Sequence, residues 1–166
     1  MERSLTRTRA ADAYVAPGAH LFGDVRMASG SSVFHGTTVR GELDHVEIGL
    51  QANVQDNCVI EATPGYPVVI GARVSVGHNA RIYGATIEPS ALIAIGATVM
   101  SGAHIGTNAI VAANATVPQG MNVPARKLVI GQGRILRDVT DAEVERIEHG
   151  ATEYARLARE YLNGSA

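Results

Sequence analysis

An aliphatic residue recurs at every sixth position through most of this chain. The pattern runs through four stretches that are separated by short slips in register: Val15, Leu21, Met27, Val33, Val39; then Ile48, Val54, Ile60; then Ile70, Val76, Ile82; then Ile87, Ile93, Val99, Ile105, Val111, Val117, Val123. A period of six matches neither the 3.6-residue turn of an α-helix nor the two-residue alternation of a hairpin. It predicts a solenoid whose coils have three flat faces, each pointing one aliphatic side chain inward.

The predicted core is narrow. The residue four positions after each aliphatic one is often small, and the chain has no Trp and only 4% aromatic residues. Cys58 belongs to this small-residue set and is the single cysteine, so no internal disulfide is possible. We interpret Cys58 as core filler rather than as a reactive thiol.

The spacing also predicts which residues stack. Two prolines and a glycine between Ile60 and Ile70 mark a four-residue insertion that leaves the solenoid as a loop. Residues 22 apart, one 18-residue coil plus this insertion, should therefore lie on adjacent coils. Glu61 and Tyr83 have this spacing, and so do Asp56 and His78. If three copies assemble, Glu61 and Tyr83 of one chain could meet Asp56 and His78 of the next.

The periodicity divides the chain into four predicted segments. These are an N-terminal segment (1–11), a β-helix (12–125), an irregular connection (126–139) and a C-terminal α-helix (140–163). Thr140 and Glu143 have the spacing of a capping box. An apolar stripe follows at Val144, Ile147, Ala151, Tyr154, Ala158 and Tyr161. The helix must bury this stripe on the solenoid or on a neighbouring subunit.

Composition excludes several classes of protein. The net charge of −2 argues against a nucleic-acid binder. No apolar run approaches the roughly 20 residues that a membrane helix needs. The segment from Met1 to Ala11 lacks the apolar centre of a secretory signal, so we expect a cytoplasmic protein.

Four motifs then occur in a family-specific order. They are Val-Arg-Gly-Glu at 39–42, Ile-Gly-x-x-x-Asn-Val-Gln-Asp at 48–56, Gly-Tyr-Pro at 65–67 and Val-Gly-His-Asn-Ala at 76–80. Together they resemble the gamma-class carbonic anhydrases over residues 12–162. The resemblance implies a left-handed parallel β-helix, a homotrimer, and a zinc site at each subunit interface that is built from three histidines of two neighbouring subunits.

The resemblance also assigns residues to that site. His78 matches the middle histidine, whereas Glu61 and Tyr83 stand at the other two ligand positions. Arg40, Gln55 and Asp56 match positions that support the site. Tyr is an uncommon zinc ligand, and an oxygen-rich set holds zinc weakly. We therefore expect either no cofactor or a weakly held divalent metal, with His78 as the one retained ligand position and Glu61 as a possible second.

Glu61 and Tyr83 are both capable of proton transfer, which suggests a repurposed site for a small molecule. Arg40 would bind a carboxylate, Glu61 or His78 would act as base, and Tyr83 would act as acid, beside Gln55. Plainer roles stay open: Arg40 and Asp56 as an interface ion pair, Gln55 as a hydrogen-bonding residue between coils, Tyr83 as interface filling. The reaction would be a lyase, hydratase, isomerase or hydrolase step.

Three other functions are also open. A solenoid with flat faces makes a good non-catalytic interaction protein. A metal-dependent carbonic anhydrase with unusual ligands would lose CO2 hydration on chelation. Acyl-CoA transfer shares the repeat, but no separate catalytic histidine or CoA-binding insertion supports it in the sequence.

Overall fold

The computed structural model describes residues 8–164, so the first seven residues of the predicted N-terminal segment lie outside it. The strands are β1 (Thr8–Arg9), β2 (Tyr14–Val15), β3 (His20–Met27), β4 (Ser32–Val33), β5 (Thr38–Ile48), β6 (Asn53–Val54), β7 (Val59–Glu61), β8 (Val68–Ile70), β9 (Ser75–Val76), β10 (Arg81–Tyr83), β11 (Thr86–Ile87), β12 (Leu92–Ile93), β13 (Thr98–Val99), β14 (His104–Ile105), β15 (Ile110–Val111), β16 (Thr116–Val117), β17 (Asn122–Val123), β18 (Lys127–Ile130) and β19 (Arg134–Asp138). They precede a helix, α1 (Asp141–Leu162). The predicted fold class, a left-handed parallel β-helix of hexapeptide repeats with a C-terminal α-helix, is confirmed.

The coils have three faces. The first face consists of β2, β4, β6, β9, β12, β15 and β18, which pair in parallel along the solenoid. The second face contains β7, β10, β13, β16 and the first halves of β3 and β5, and the third contains β8, β11, β14, β17 and the second halves. From Met27 onward the inward aliphatic residues are almost fully buried, with Ile60 and Ile82 at 0% exposure. Stacked β-branched side chains of one size fill the core without tall aromatics.

Tight corners join the faces. Among residues 8–164, eight residues other than glycine have a positive φ, and four of them are asparagines: Asn57, Asn79, Asn108 and Asn114. Asparagine tolerates the left-handed conformation that a tight corner needs better than most residues. In the first two coils the second and third faces are instead joined by the long strands β3 and β5. A Cβ on Gly23 would lie 2.3 Å from the carbonyl carbon of Gly41, so this close approach requires glycine.

Helix α1 packs on the first face of its own chain and contacts β2, β4, β6 and β9. Its predicted capping box is confirmed, because Thr140 Oγ1 accepts from the Glu143 amide and Glu143 Oε2 accepts from the Thr140 amide. Tyr14, Phe34 and Tyr161 pack together between helix and solenoid. No helix within residues 8–164 is long and apolar enough to cross a membrane.

Two segment predictions need correction. The interval 126–139 is not irregular, because it contains the antiparallel pair β18 and β19. Val129 lies six residues after Val123 and pairs with Val111 on the first face, so the repeat continues beyond residue 125. At the other end, Thr8 and Arg9 already pair in parallel with β3, so the solenoid begins before residue 12.

Candidate functional site

The first half of the site is a column on the second face. Tyr83 is the Cα partner of Glu61 on the next coil, and Arg40 is the partner of Glu61 on the coil before. The predicted stacking of Glu61 and Tyr83 is therefore confirmed, and Arg40 joins them. We call these three residues the second-face column. Its outward side chains form a cation, a carboxylate and a phenol in a row about 4.8 Å apart.

Arg40 has two acidic partners, Glu42 on its own strand and Glu61 in the column. Its Nε and one terminal nitrogen each lie 2.8 Å from Oε2 of Glu42. The hydrogen bond and charge of Glu42, followed by the charge of Glu61, raise the pKa of Arg40. A cleft of about 200 Å³ opens beside Arg40, Glu42 and Glu61. The carboxylate of Glu42 therefore already uses part of the guanidinium that we expected to bind a ligand.

The second half of the site lies at the corner between the first and second faces. Nδ1 of His78 lies 3.2 Å from Oδ2 of Asp56, and the amide of His35 donates to Oδ1 of the same carboxylate at 3.0 Å. The predicted stacking of Asp56 and His78 is thus confirmed. Both side chains are more than a third exposed. An aspartate that accepts from Nδ1 fixes the orientation of the imidazole.

Tyr154 of α1 completes this corner, and the sequence did not identify it. Its hydroxyl lies 3.3 Å from Nε2 of His78. Burial, followed by electrostatic interaction with Asp56 and Cys58, raises the pKa of Tyr154. In the tautomer whose Nδ1–H donates to Asp56, the Tyr154 hydroxyl donates to Nε2. Tyr154 was part of the apolar stripe and was interpreted as packing. The signal that could have found it is the polar tip that a buried tyrosine must satisfy. We call His35, Asp56, His78 and Tyr154 the corner cluster.

Gln55 lies apart from the second-face column, on the first face behind α1. It is only 8% exposed, and its Nε2 donates to Oδ1 of Asn53 at 3.1 Å. Asn53 in turn donates to Ser75 on the next coil at 2.8 Å. Within residues 8–164 of one chain, the six predicted site residues therefore fall into three places: the second-face column, the corner cluster, and Gln55 under the helix.

A three-histidine zinc site does not fit the residues of a single chain. Among residues 8–164, no group of three or more His, Cys, Asp or Glu is placed to hold a metal ion. Both ring nitrogens of His78 already lie within hydrogen-bond distance of Asp56 or Tyr154. At the other two ligand positions Glu61 offers a carboxylate in place of an imidazole, and Tyr83 offers a phenol, which is an uncommon zinc ligand. The donor set of one chain therefore does not match a three-histidine zinc site.

Comparison with known proteins gives consistent matches. Residues 84–119 match the family described as "Bacterial transferase hexapeptide (six repeats)". A probable carbonic anhydrase of Methanocaldococcus jannaschii is 47% identical over 145 residues, which cover 87% of this chain and 91% of that protein. Gamma carbonic anhydrase 1, mitochondrial, of Arabidopsis thaliana is 35% identical over 93% of this chain. The chain spans only 59% of that plant protein.

Solved structures agree on the fold. A protein of Bacillus cereus described as a putative acetyltransferase superposes with a TM-score of 0.92 at 31% identity, covering 93% of this chain and 91% of that one. A hexapeptide transferase family protein of Anaplasma phagocytophilum superposes with a TM-score of 0.90 at 29% identity, covering 93% and 92%. Both matches span the solenoid and most of the rest of the chain.

Proposed function

This chain belongs to the gamma-class carbonic anhydrase-like family of hexapeptide-repeat proteins, and from that premise we propose that it forms a homotrimer with a repurposed acid–base site at each subunit interface. The observation that carries the proposal is the division of the acid–base groups. One chain places Arg40, Glu61 and Tyr83 on a face, and His78 with Asp56 on the preceding corner. Neither half alone holds both an oriented imidazole and a cation with its carboxylate.

A threefold axis parallel to the solenoid would bring these halves together. Such an axis keeps every coil at its own height, so the second face of one chain meets the same coils of its neighbour. Asp56 precedes Glu61 by five residues, so these two lie on one coil. His78 likewise precedes Tyr83 by five, so these two lie on the next coil. Phe22 and Met100, 43% and 36% exposed, flank the column and supply apolar contact for such an interface.

The assembled groups suit proton transfer on a small carboxylate. In the proposed site Arg40 holds the carboxylate in the adjoining cleft, and Glu61 takes a proton. His78, oriented by Asp56, takes a proton instead only when the Tyr154 hydroxyl turns away from Nε2. Tyr83 donates a proton to the leaving or developing oxyanion. This arrangement supports a lyase, hydratase, isomerase or hydrolase reaction without a metal. The cytoplasmic location stays a prediction.

Mixed trimers give the sharpest test. Glu61→Gln and His78→Ala each remove one half of every site. Each variant alone should therefore lose hydration of fumarate and hydrolysis of mono-p-nitrophenyl succinate, two small carboxylates, measured after dialysis against chelator. When the two variants are co-expressed, about a quarter of the interfaces regain Glu61 from one chain and His78 from the other, with a matching recovery of turnover. Tyr83→Phe should lower turnover without changing the sedimentation coefficient of the trimer.

Other outcomes would favour the competing functions. Unchanged turnover in all three variants would refute the proposed site. Hydration of CO2 that the chelator abolishes and zinc restores would instead support a metal-dependent carbonic anhydrase with Glu61 and His78 as ligands. A trimer with no turnover would favour a non-catalytic interaction protein. The likeness to a protein described as a putative acetyltransferase makes acyl transfer the second candidate, which saturable binding of acetyl-CoA would support.

A further inference from the structure

A second cleft lies between α1 and the first face, away from the second-face column. Its volume is about 320 Å³, near the lower end of the range for small-molecule sites. The residues that line it are Gln55, Ser75, Leu92, Ile110, Glu143, Arg146, Ile147, Gly150 and Tyr154. The proposed trimer site uses none of the apolar residues among them.

The cleft exists because small residues face each other. Ile147, Gly150 and Tyr154 follow one another at helical spacing along the buried side of α1, so Gly150 takes a place where a large side chain would pack. A Cβ added to Gly150 would meet no atom of a neighbouring element within 4 Å. Ser75, a small residue of the first face, lines the same cleft. Glycine destabilises a helix interior relative to alanine. Neither packing nor helix propensity therefore explains why residue 150 is a glycine.

The two ends of the cleft are polar and its middle is apolar. At one end, Gln55 and Ser75 are 8% and 5% exposed, so both side chains are more than nine-tenths buried. Gln55 uses its amide nitrogen on Asn53, which leaves its carbonyl oxygen for a ligand, and Ser75 Oγ accepts from Asn53, which leaves its own hydrogen to donate. Leu92 and Ile110 form the apolar floor between the ends.

The charge at the other end selects the ligand. Glu143 and Arg146 are the charged residues of the lining, and both oxygens of Glu143 accept from Arg137. Arg146 is exposed and forms no ion pair within residues 8–164. The mouth therefore carries one uncompensated positive charge, which attracts a carboxylate. Arg146 and Tyr154 are eight residues apart, about 12 Å along the helix.

We propose that this cleft binds a small amphipathic acid: a carboxylate at Arg146, an unbranched apolar middle against Leu92 and Ile110, and a hydroxyl or carbonyl group at Gln55 and Ser75. The bound acid would also touch Tyr154, whose hydroxyl contacts His78 of the corner cluster. The proposal does not depend on the trimer site, because it uses neither Arg40, Glu61 nor Tyr83.

The test uses 8-hydroxyoctanoate as the probe, with calorimetry for affinity and amide chemical shifts for location. We expect saturable binding with shifts centred on Gly150 and Ser75. The neutral 1,8-octanediol should bind the wild type about tenfold more weakly than the acid does. Arg146→Gln should weaken binding of the acid by the same factor, because both changes remove the same charge pairing. Arg159→Gln, which removes an exposed arginine near the far end of the helix, is the matched control and should bind as the wild type.

Filling the cleft should remove binding without unfolding the protein. Gly150→Leu should abolish binding while the melting temperature stays at or above the wild-type value, because leucine favours helix. Gly150→Ala intrudes less and should raise the melting temperature while weakening binding only partly. Equal affinity of the acid and the diol, unchanged affinity in Gly150→Leu, or shifts confined to the exposed Ile135 and Leu136 would overturn the proposal.

Discussion

The first and second faces of the solenoid have the same inward architecture but opposite exteriors. On the first face, Phe34 is 3% exposed under α1, and a ladder of Asn53, Gln55 and Ser75 is buried beside it. On the second face, Phe22 is 43% exposed next to the ionisable second-face column. The exterior of the first face is thus covered by the helix of the same chain. Under our proposal, the exterior of the second face is covered by a second copy of the chain.

The largest expected effect comes from truncating the two phenylalanines. Phe34→Ala should lower the free energy of unfolding by about 3–5 kcal/mol, because it empties a ring-lined space between helix and solenoid. Phe22→Ala should change it by no more than about 0.5 kcal/mol in the dissociated chain. Urea denaturation measures both. If Phe22→Ala leaves the sedimentation coefficient unchanged even at low concentration, the second face is not an interface.

The next effect concerns the arginine that ties α1 to the solenoid. Arg73 donates to Glu148 Oε2 at 2.6 Å, to the Glu148 carbonyl oxygen at 3.0 Å and to Gln51 Oε1 at 2.9 Å. Arg73→Gln should cost about 1–2 kcal/mol of unfolding free energy, because several charge-assisted hydrogen bonds are lost together.

The matched control for Arg73 is Arg26, which pairs with Asp24 and Glu47 at the exposed end of the third face. Arg26→Gln should cost no more than about 0.5 kcal/mol, as is usual for exposed ion pairs. Equal costs for Arg26→Gln and Arg73→Gln would mean that Arg73 does not hold the helix on the first face.

A smaller effect should appear as pH dependence. The hydrogen bonds from Arg137, and then the amide of Thr140, lower the pKa of Glu143 to about 2. Because the folded pKa lies below the unfolded value, this group stabilises the protein above about pH 4.5, and the stabilisation is lost as pH falls towards 2. Glu143→Gln should remove about 1 kcal/mol at pH 7 after solvent screening and flatten the stability profile over that range.

The smallest expected effect concerns the Cys58 thiol, which should not react in the native protein. Burial raises the pKa of Cys58 to about 11, and its thiol lies beneath the corner that joins the two faces, with Sγ 3.2 Å from the carbonyl oxygen of Gly77. At pH 8 a thiol reagent should therefore modify Cys58 in denaturant but not in the native protein. Rapid native modification would show that the corner under His78 opens.

The sequence predicted those features of the fold that the six-residue repeat determines. The six-residue period specifies which residues share a coil, so the pairs Glu61 with Tyr83 and Asp56 with His78 followed from spacing alone. It could not place the helix, because the stripe of α1 indicates which side is buried but not where along the face it lies. Tyr154 beside His78 and Gln55 under the helix both depend on that placement. The pair β18 and β19 was missed because the repeat was ended at Val123, one face too early.

The pair β18 and β19 has a consequence for how the molecule ends. Every other strand pair within the described solenoid runs parallel, and a parallel solenoid leaves an open edge on which another copy can continue the same ladder. Here β19 turns back on β18, and its residues Arg134 to Asp138 are all exposed, with two arginines and one aspartate among them. A strand of reversed direction and mixed charge does not match the incoming edge of another solenoid. On the first face the reversal therefore closes the parallel ladder against a further coil, whereas β16 and β17 are the last strands of the second and third faces.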